Sequence, residues 1–226
     1  MADIAENIKM LGSMLPESVS VVAVSKTRSH EEVLLAYKAG QRVFGENRVQ
    51  ELLSKKKLLP EDIRWHLIGH LQSNKVKQAV AEVAVIESVD SIKLLQAISD
   101  EALNRNIVTD CLLQVHIAAE ETKFGFDPAE IQREDWRTVT GTLRGVRVCG
   151  LMGMASFTDN SEIVRNEFRT LTALFKETRE RCFIDKPFFR EISMGMSGDW
   201  KIAVEEGSTM IRVGTLIFGE RTNKIL

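Results

Sequence analysis

Val19-Ser-Val-Val-Ala-Val-Ser-Lys-Thr-Arg-Ser-His-Glu-Glu-Val-Leu-Leu-Ala-Tyr-Lys-Ala-Gly40 reads as a strand, a turn and a helix in direct succession. The apolar, β-branched run Val19 to Val24 is what a parallel strand buried on both faces requires. Period-two side chains put Val22, Val24 and Lys26 on one face, so the Lys26 ammonium emerges beside the core at the strand's carboxyl end. Ser29 with Glu32 forms a capping box that opens a helix over Ser29–Ala39, and Gly40 closes it. A strand followed at once by a helix is the repeating unit of a parallel sheet.

Outward from this unit the pattern recurs along the chain. An amphipathic helix covers the first dozen residues. Strands are expected at Val19–Lys26, Arg42–Gly45, Ile63–Ile68, Ala84–Val89, Asp110–Ile117, Val146–Met154, Phe189–Met194 and Met210–Phe218. Helices are expected at Asn47–Leu59, Ser73–Val83, Ser91–Asn104, after Pro128, at Ser161–Arg181 and at Gly198–Glu206. Eight strands alternating with helices in 226 residues fit a single (β/α)8 barrel of the TIM type with an extra N-terminal helix. An open, doubly wound sheet is the alternative, because periodicity does not register closure. No linker, repeat or low-complexity stretch divides residues 1–226, so one domain is expected.

Composition narrows the function. The net charge of −2 comes from 30 basic and 32 acidic residues, and no basic stripe is interleaved with aromatics, so neither nucleic acid nor an anionic membrane is an expected partner. Lys55-Lys56-Lys57, the only basic run, reads as a solvated helix face. Cys111, Cys149 and Cys182 read as reduced structural thiols. The polar N-terminus lacks a signal-peptide apolar region and no stretch is long enough to span a membrane, which predicts a cytoplasmic protein.

The chemistry concentrates at strand ends. A lysine partly desolvated at the carboxyl end of a barrel strand is a nucleophilic amine able to form a Schiff base with an aldehyde; the bland alternative is a lysine reaching into water. Ile192-Ser-Met-Gly-Met-Ser-Gly-Asp-Trp200 and Gly207-Ser-Thr-Met-Ile-Arg-Val-Gly-Thr-Leu-Ile-Phe-Gly219 each run from a strand into a small-residue turn. In barrels the loops after strands seven and eight commonly hold phosphate, and Ser193, Ser197, Gly214 and Thr215 are the natural donors. For either half alone, a serine helix cap explains the pattern equally well. Arg212 shares an inward face with Met210 and Gly214, where it needs a carboxylate, a carbonyl or a ligand atom, an ion pair to a core acid such as Glu191 being the structural alternative. Asn47 is placed either to touch a ligand or to cap the next helix. His66 and His70 have metal-pair spacing but straddle Gly69 with no third ligand, so metal binding is rejected. His116, Met152 and Met154 fit either the mouth or the core. A lysine beside a phosphate cradle describes a site for a phosphorylated aldehyde, and pyridoxal 5'-phosphate (PLP) is the commonest cofactor of that kind.

Ala23-Val-Ser-Lys-Thr27, Phe44-Gly-Glu-Asn-Arg-Val-Gln-Glu51, Trp65-His-Leu-Ile-Gly-His-Leu-Gln-Ser-Asn-Lys75, Gly150-Leu-Met152, Ser193-Met-Gly-Met-Ser197 and the Gly207–Gly219 segment together resemble the pyridoxal phosphate homeostasis proteins, whose fold is like the barrel domain of bacterial alanine racemase. The resemblance covers nearly the whole chain. It implies Lys26 as the Schiff-base lysine, Ser193, Ser197, Gly214 and Thr215 around the phosphate, Arg212 near the pyridine nitrogen and Asn47 near the cofactor's edge. Two segments depart from the family's usual residues: Arg28-Ser29 in place of Lys-Pro, and Gly153-Met-Ala155 in place of Thr-Ile-Pro. The resemblance further implies a role in vitamin B6 and amino-acid balance without turnover, with PLP-requiring apoenzymes as partners and a monomeric state. Racemase or lyase chemistry on PLP is the alternative, and a PLP-free aldolase or isomerase a third. A racemase needs an acid on the cofactor face opposite its lysine, and the only tyrosine, Tyr37, lies on the helix after strand one.

Overall fold

A computed structural model describes residues 3–119 and 124–220. Eight parallel strands, β1 Ser20–Val24, β2 Val43–Glu46, β3 Arg64–Leu67, β4 Val85–Val89, β5 Thr109–Val115, β6 Val146–Gly153, β7 Glu191–Ser193 and β8 Met210–Val213, pair in chain order, and β8 closes on β1. The closing register runs from Ser20 opposite Met210 to Ala23 opposite Val213, so Val22 lies beside Arg212. The sheet is therefore the closed barrel and not the open alternative.

The helices form the outer layer: α1 Ile4–Met14, α2 His30–Lys38, α3 Val49–Lys56, α4 Val76–Val80 after a 3-10 turn at Ser73–Lys75, α5 Ile92–Asn104, α6 Pro128–Arg133, α7 Trp136–Thr142, α8 Ser161–Cys182, α9 Trp200–Glu205 and α10 Thr215–Phe218. The Ser29–Glu32 capping box opens α2 as its sequence requires, and Gly40 follows it at φ 103°. Asp3 caps α1, which docks on α10 through Asn7 Nδ2 donating to the Ile217 carbonyl at 3.0 Å.

Outward strand residues and inward helix faces make the core. Leu67, Ile86, Cys111, Leu113 and Leu151 meet Leu95, Ile98, Trp136 and Phe168 on one side. Ala23, Phe44, Trp65, Ile211 and Val213 meet Val33, Leu52 and Ile217 on the other. Each such large side chain contributes roughly 1.5–3 kcal/mol on burial. A smaller group, Val85, Leu112, Cys149 and Met152, packs separately from these layers, so Met152 belongs to the core. All three cysteines are buried free thiols, and burial pushes Cys149 up to about 12.

Several boundaries differ from the sequence reading: β1 ends at Val24, so Lys26 lies past the strand and not on it, and the helix expected at Ser73–Val83 is a 3-10 turn followed by Val76–Val80. The apolar run Met210–Phe218 is four residues of strand and then, after Gly214, four of helix. The helix expected from Asn47 starts at Val49, with Arg48 at its cap and no side-chain cap bond. Asn47 is thus released from the capping role open to it.

Candidate functional site

A buried polar layer crosses the barrel. The Glu87 carboxylate on β4 accepts from His66 Nδ1 at 2.6 Å and from Ser193 Oγ at 2.6 Å. Arg212 Nη1 donates to Ser193 Oγ at 2.5 Å and lies 3.9 Å from Glu87 Oε2, while Nη2 donates to the Gly153 carbonyl at 2.8 Å. Arg212 is 4 % exposed and Glu87 fully buried. The acid facing Arg212 is Glu87 and not Glu191, which instead takes bonds from Thr209 Oγ1 and Arg190. Burial alone would raise the Glu87 carboxyl; His66, Arg212 and Ser193 outweigh it and hold the group below the ordinary 4.5. Burial pulls the Arg212 guanidinium down, with Glu87 and Asp199 opposing, and arginine keeps its charge.

At the carboxyl end of β7, Ser197 does not cap α9, whose cap position is Asp199. Its hydroxyl accepts from the Gly214 amide at 3.3 Å, so the loops after β7 and β8 touch. The amides of Ser197, Gly198, Thr215 and Leu216 have no acceptor among the described residues, which leaves donors of the kind an anion takes. A side-chain carbon at Gly214 would lie 3.1 Å from the Val24 carbonyl, so this loop also rests on the end of β1, two residues before Lys26. A cavity of about 380 Å³ lined by Met10, Met14 and Trp200 opens beside this loop, against α1, and not over the barrel mouth.

Lys26 follows β1 and is half-buried. Ser25 and Arg28 close a turn around it, the Arg28 amide donating to the Ser25 carbonyl at 3.0 Å. Thr27, at the third turn position, has φ 65°. That position in a type II turn wants glycine, and a β-branched residue there costs about 1–3 kcal/mol. Beneath the turn lies Lys55, which is 6 % exposed and not on a solvated face as its Lys-Lys-Lys setting suggests. Its Nζ donates to the Ser25 carbonyl at 2.6 Å, Glu46 Oε1 at 2.7 Å and Glu51 Oε1 at 2.7 Å. Ser25 Oγ also donates to Glu46 Oε1 at 2.6 Å, and the Thr27 amide to Glu51 Oε1 at 2.5 Å. Burial pushes the Glu46 carboxyl up, with Lys55 pulling against it.

The seven residues singled out in the sequence thus fall on β7, β8, β1 and β2, four consecutive staves of the barrel, or just past their carboxyl ends. Ser193 and Arg212 are bonded to each other inside; Ser197 and Gly214 make the loop contact, with Thr215 next to Gly214 at the start of α10; Lys26 and Asn47 follow the two neighbouring strands. The Asn47 amide makes no side-chain hydrogen bond among the described residues, and Gly69 seats against its backbone, where a side-chain carbon would fall 2.5 Å from the Asn47 carbonyl oxygen. His66 and His70 serve different acids, His70 bonding Asp90 at 2.8 Å and stacking on Phe124. Tyr37 donates to Asp62 at 2.7 Å on an exposed face. Sequence reading missed Glu87 and Lys55. Their signals were an acid inside the apolar run Ala84–Val89, and Glu51 one helical turn before Lys55.

The family model for the alanine racemase N-terminal domain matches residues 1–222. The pyridoxal phosphate homeostasis protein of Aquifex aeolicus is 41% identical over 202 residues, covering 89% of this chain and 86% of the relative. The human protein of that name is 38% identical over 212 residues, covering 89% and 76%. The solved structure of PipY from Synechococcus elongatus PCC7942 with PLP bound has a TM-score of 0.86 at 38% identity, covering 96% of this chain and all of PipY. Alanine racemase of Clostridium difficile 630 matches at TM-score 0.76 and 13% identity over 98% of this chain and 58% of its own, a likeness of fold. With the barrel closed, the family model matched over residues 1–222 and relatives up to 41% identical matched over 76–86% of their lengths, this chain belongs to the pyridoxal phosphate homeostasis protein family, built on the fold of the alanine racemase N-terminal domain.

Proposed function

We propose that the chain binds PLP, holds it as a Schiff base on Lys26, and serves vitamin B6 and amino-acid homeostasis by keeping and handing over the cofactor without turnover. The observation that carries this is the adjacency of an amine-bearing turn after β1 and four amides after β7 and β8 that have no acceptor among the described residues, β8 lying between β7 and β1 in the barrel. Family membership and the PLP-bound PipY structure support the same reading. PLP supplies an aldehyde that condenses with an amine, C=N forming as the carbonyl oxygen leaves in water, and a phosphate that needs hydrogen-bond donors. The donor set fits that phosphate: Ser197, Gly214 and Thr215 with the loop amides bind it. Arg212, charged and anchored to Ser193, would be the group near the ring nitrogen and would disfavour its protonation, and Asn47 would stand near the cofactor's edge. Ser193 acts through Arg212, because its hydroxyl is shared between Arg212 and Glu87. Residues 1–226 act as one barrel domain, monomeric and cytoplasmic, with PLP-requiring apoenzymes as recipients.

The purified protein should absorb as a lysine-bound PLP, and borohydride reduction followed by peptide mass spectrometry should place the cofactor on Lys26. Lys26→Ala should lose the absorbance band. Cofactor trapped on another lysine, such as Lys75, overturns the assignment.

A further inference from the structure

We propose that Lys55 is a positioning residue for Lys26: its ammonium, bonded to the Ser25 carbonyl, Glu46 and Glu51, holds the Ser25–Arg28 turn in the left-handed form that fixes where the Lys26 amine points. The inference rests on Lys26 being the Schiff-base lysine. Lysine has three donors, and here all three have short acceptors, one on each of three pieces of chain: the Ser25 carbonyl before the turn, Glu46 at the end of β2 and Glu51 on α3. Glu51 then passes the restraint on to the Thr27 amide, so the residue with the unfavourable φ is gripped on its own backbone. On the far side, Arg28 bonds Glu32 and the carbonyls of Phe218 and Gly219, tying the same turn to the end of α10. The residue carrying the amine is thus bracketed by two cationic side chains that each bond backbone carbonyls.

A purely structural ion pair does not need this arrangement. Buried charge pairs are poor sources of stability, since desolvation offsets most of the attraction, and an apolar pair of equal volume fills such a place as well. A site that must present one amine to one carbonyl does need a turn with a single conformation, because misplacement by about an ångström is costly in rate. Threonine at the left-handed position turns the clamp into a requirement: without it the turn relaxes to a conformation that a β-branched residue prefers.

Lys55→Met should weaken PLP binding at Lys26 at least about tenfold by absorbance titration. In cofactor-free protein it should change the rate at which an amine-reactive acetylating ester labels Lys26, read by peptide mass spectrometry. Glu51→Ala, which leaves the buried Lys55–Glu46 pair in place, should do the same to a smaller degree and covers the case in which Lys55→Met does not fold. Adding Thr27→Gly, which removes the cost of the left-handed backbone, should restore PLP affinity to within about threefold in either background without restoring the lost thermal stability. Wild-type affinity and labelling in folded Lys55→Met or Glu51→Ala overturns the clamp, as does failure of Thr27→Gly to rescue. Cofactor trapped on another lysine in the unmutated protein overturns both this inference and the site assignment, whereas the first two outcomes leave the Lys26 assignment standing.

Discussion

Glu87 is an acid in the centre of a barrel, and its partners set how the protein answers acid. Its folded carboxyl lies below 4.5, so in the window between the folded value and 4.5 the unfolded chain binds more protons. Stability from this group is complete above the unfolded value and is lost as pH falls through the folded one. Glu87→Gln should cost about 3 kcal/mol at neutral pH, because Arg212 is left buried without its counter-charge. It should also flatten the fall in urea midpoint below about pH 4.5 relative to the wild type; an unchanged acid slope would show that other carboxylates govern it. At this scale strand parity over Val19–Lys26 singled out Lys26 as a candidate, although β1 ends at Val24 and Lys26 stands in the turn after it. Lys55 was misread because composition in a three-lysine run says nothing of which lysine faces the sheet, and Glu87 was passed over because a lone acid in an apolar strand announces no partner until the other strands are placed around it.

Elements show where local pattern stops being informative. The strands and most helices follow from apolar periodicity and caps; α2 was read to its caps, whereas β1 stops two residues short of the strand read to Lys26. Thr215-Leu-Ile-Phe218 could not, since four apolar residues suit a strand or one helical turn equally, and only docking on α1 decides between them. The start of α3 was likewise set from outside: Gly69 presses on the Asn47 backbone and leaves Arg48 at the cap position. Gly69→Ala should therefore destabilise the fold by about 1–3 kcal/mol, the cost of overpacking against rigid backbone, and weaken PLP binding by moving Asn47. Thermal unfolding and PLP titration of this variant check both effects. An affinity that holds while stability drops would remove Asn47 from the site.

For the whole molecule the eight-strand count was visible in the chain, but closure was not, because the β8–β1 pairing joins residues nearly two hundred positions apart. Closure sets the turn that carries Lys26 beside the loops after β7 and β8, and the described residues form one barrel with its ring of helices. In the proposed function the mouth admits amines and water, and Tyr37 is tied to Asp62 on the outside, away from the mouth. The loaded protein in deuterated water should exchange its lysine bond with added L-alanine yet incorporate no more than stoichiometric deuterium at the α-carbon; repeated incorporation or D-alanine would mark a true racemase. The order of the staves also bears on synthesis. Under the proposed assignment, a chain emerging from the ribosome presents the Lys26 amine after β1 and the loop donors only after β7 and β8, so a half-made protein would have the nucleophile without the cradle. Cofactor capture would thereby be deferred until β8 is made, and loading would report that the ring has shut.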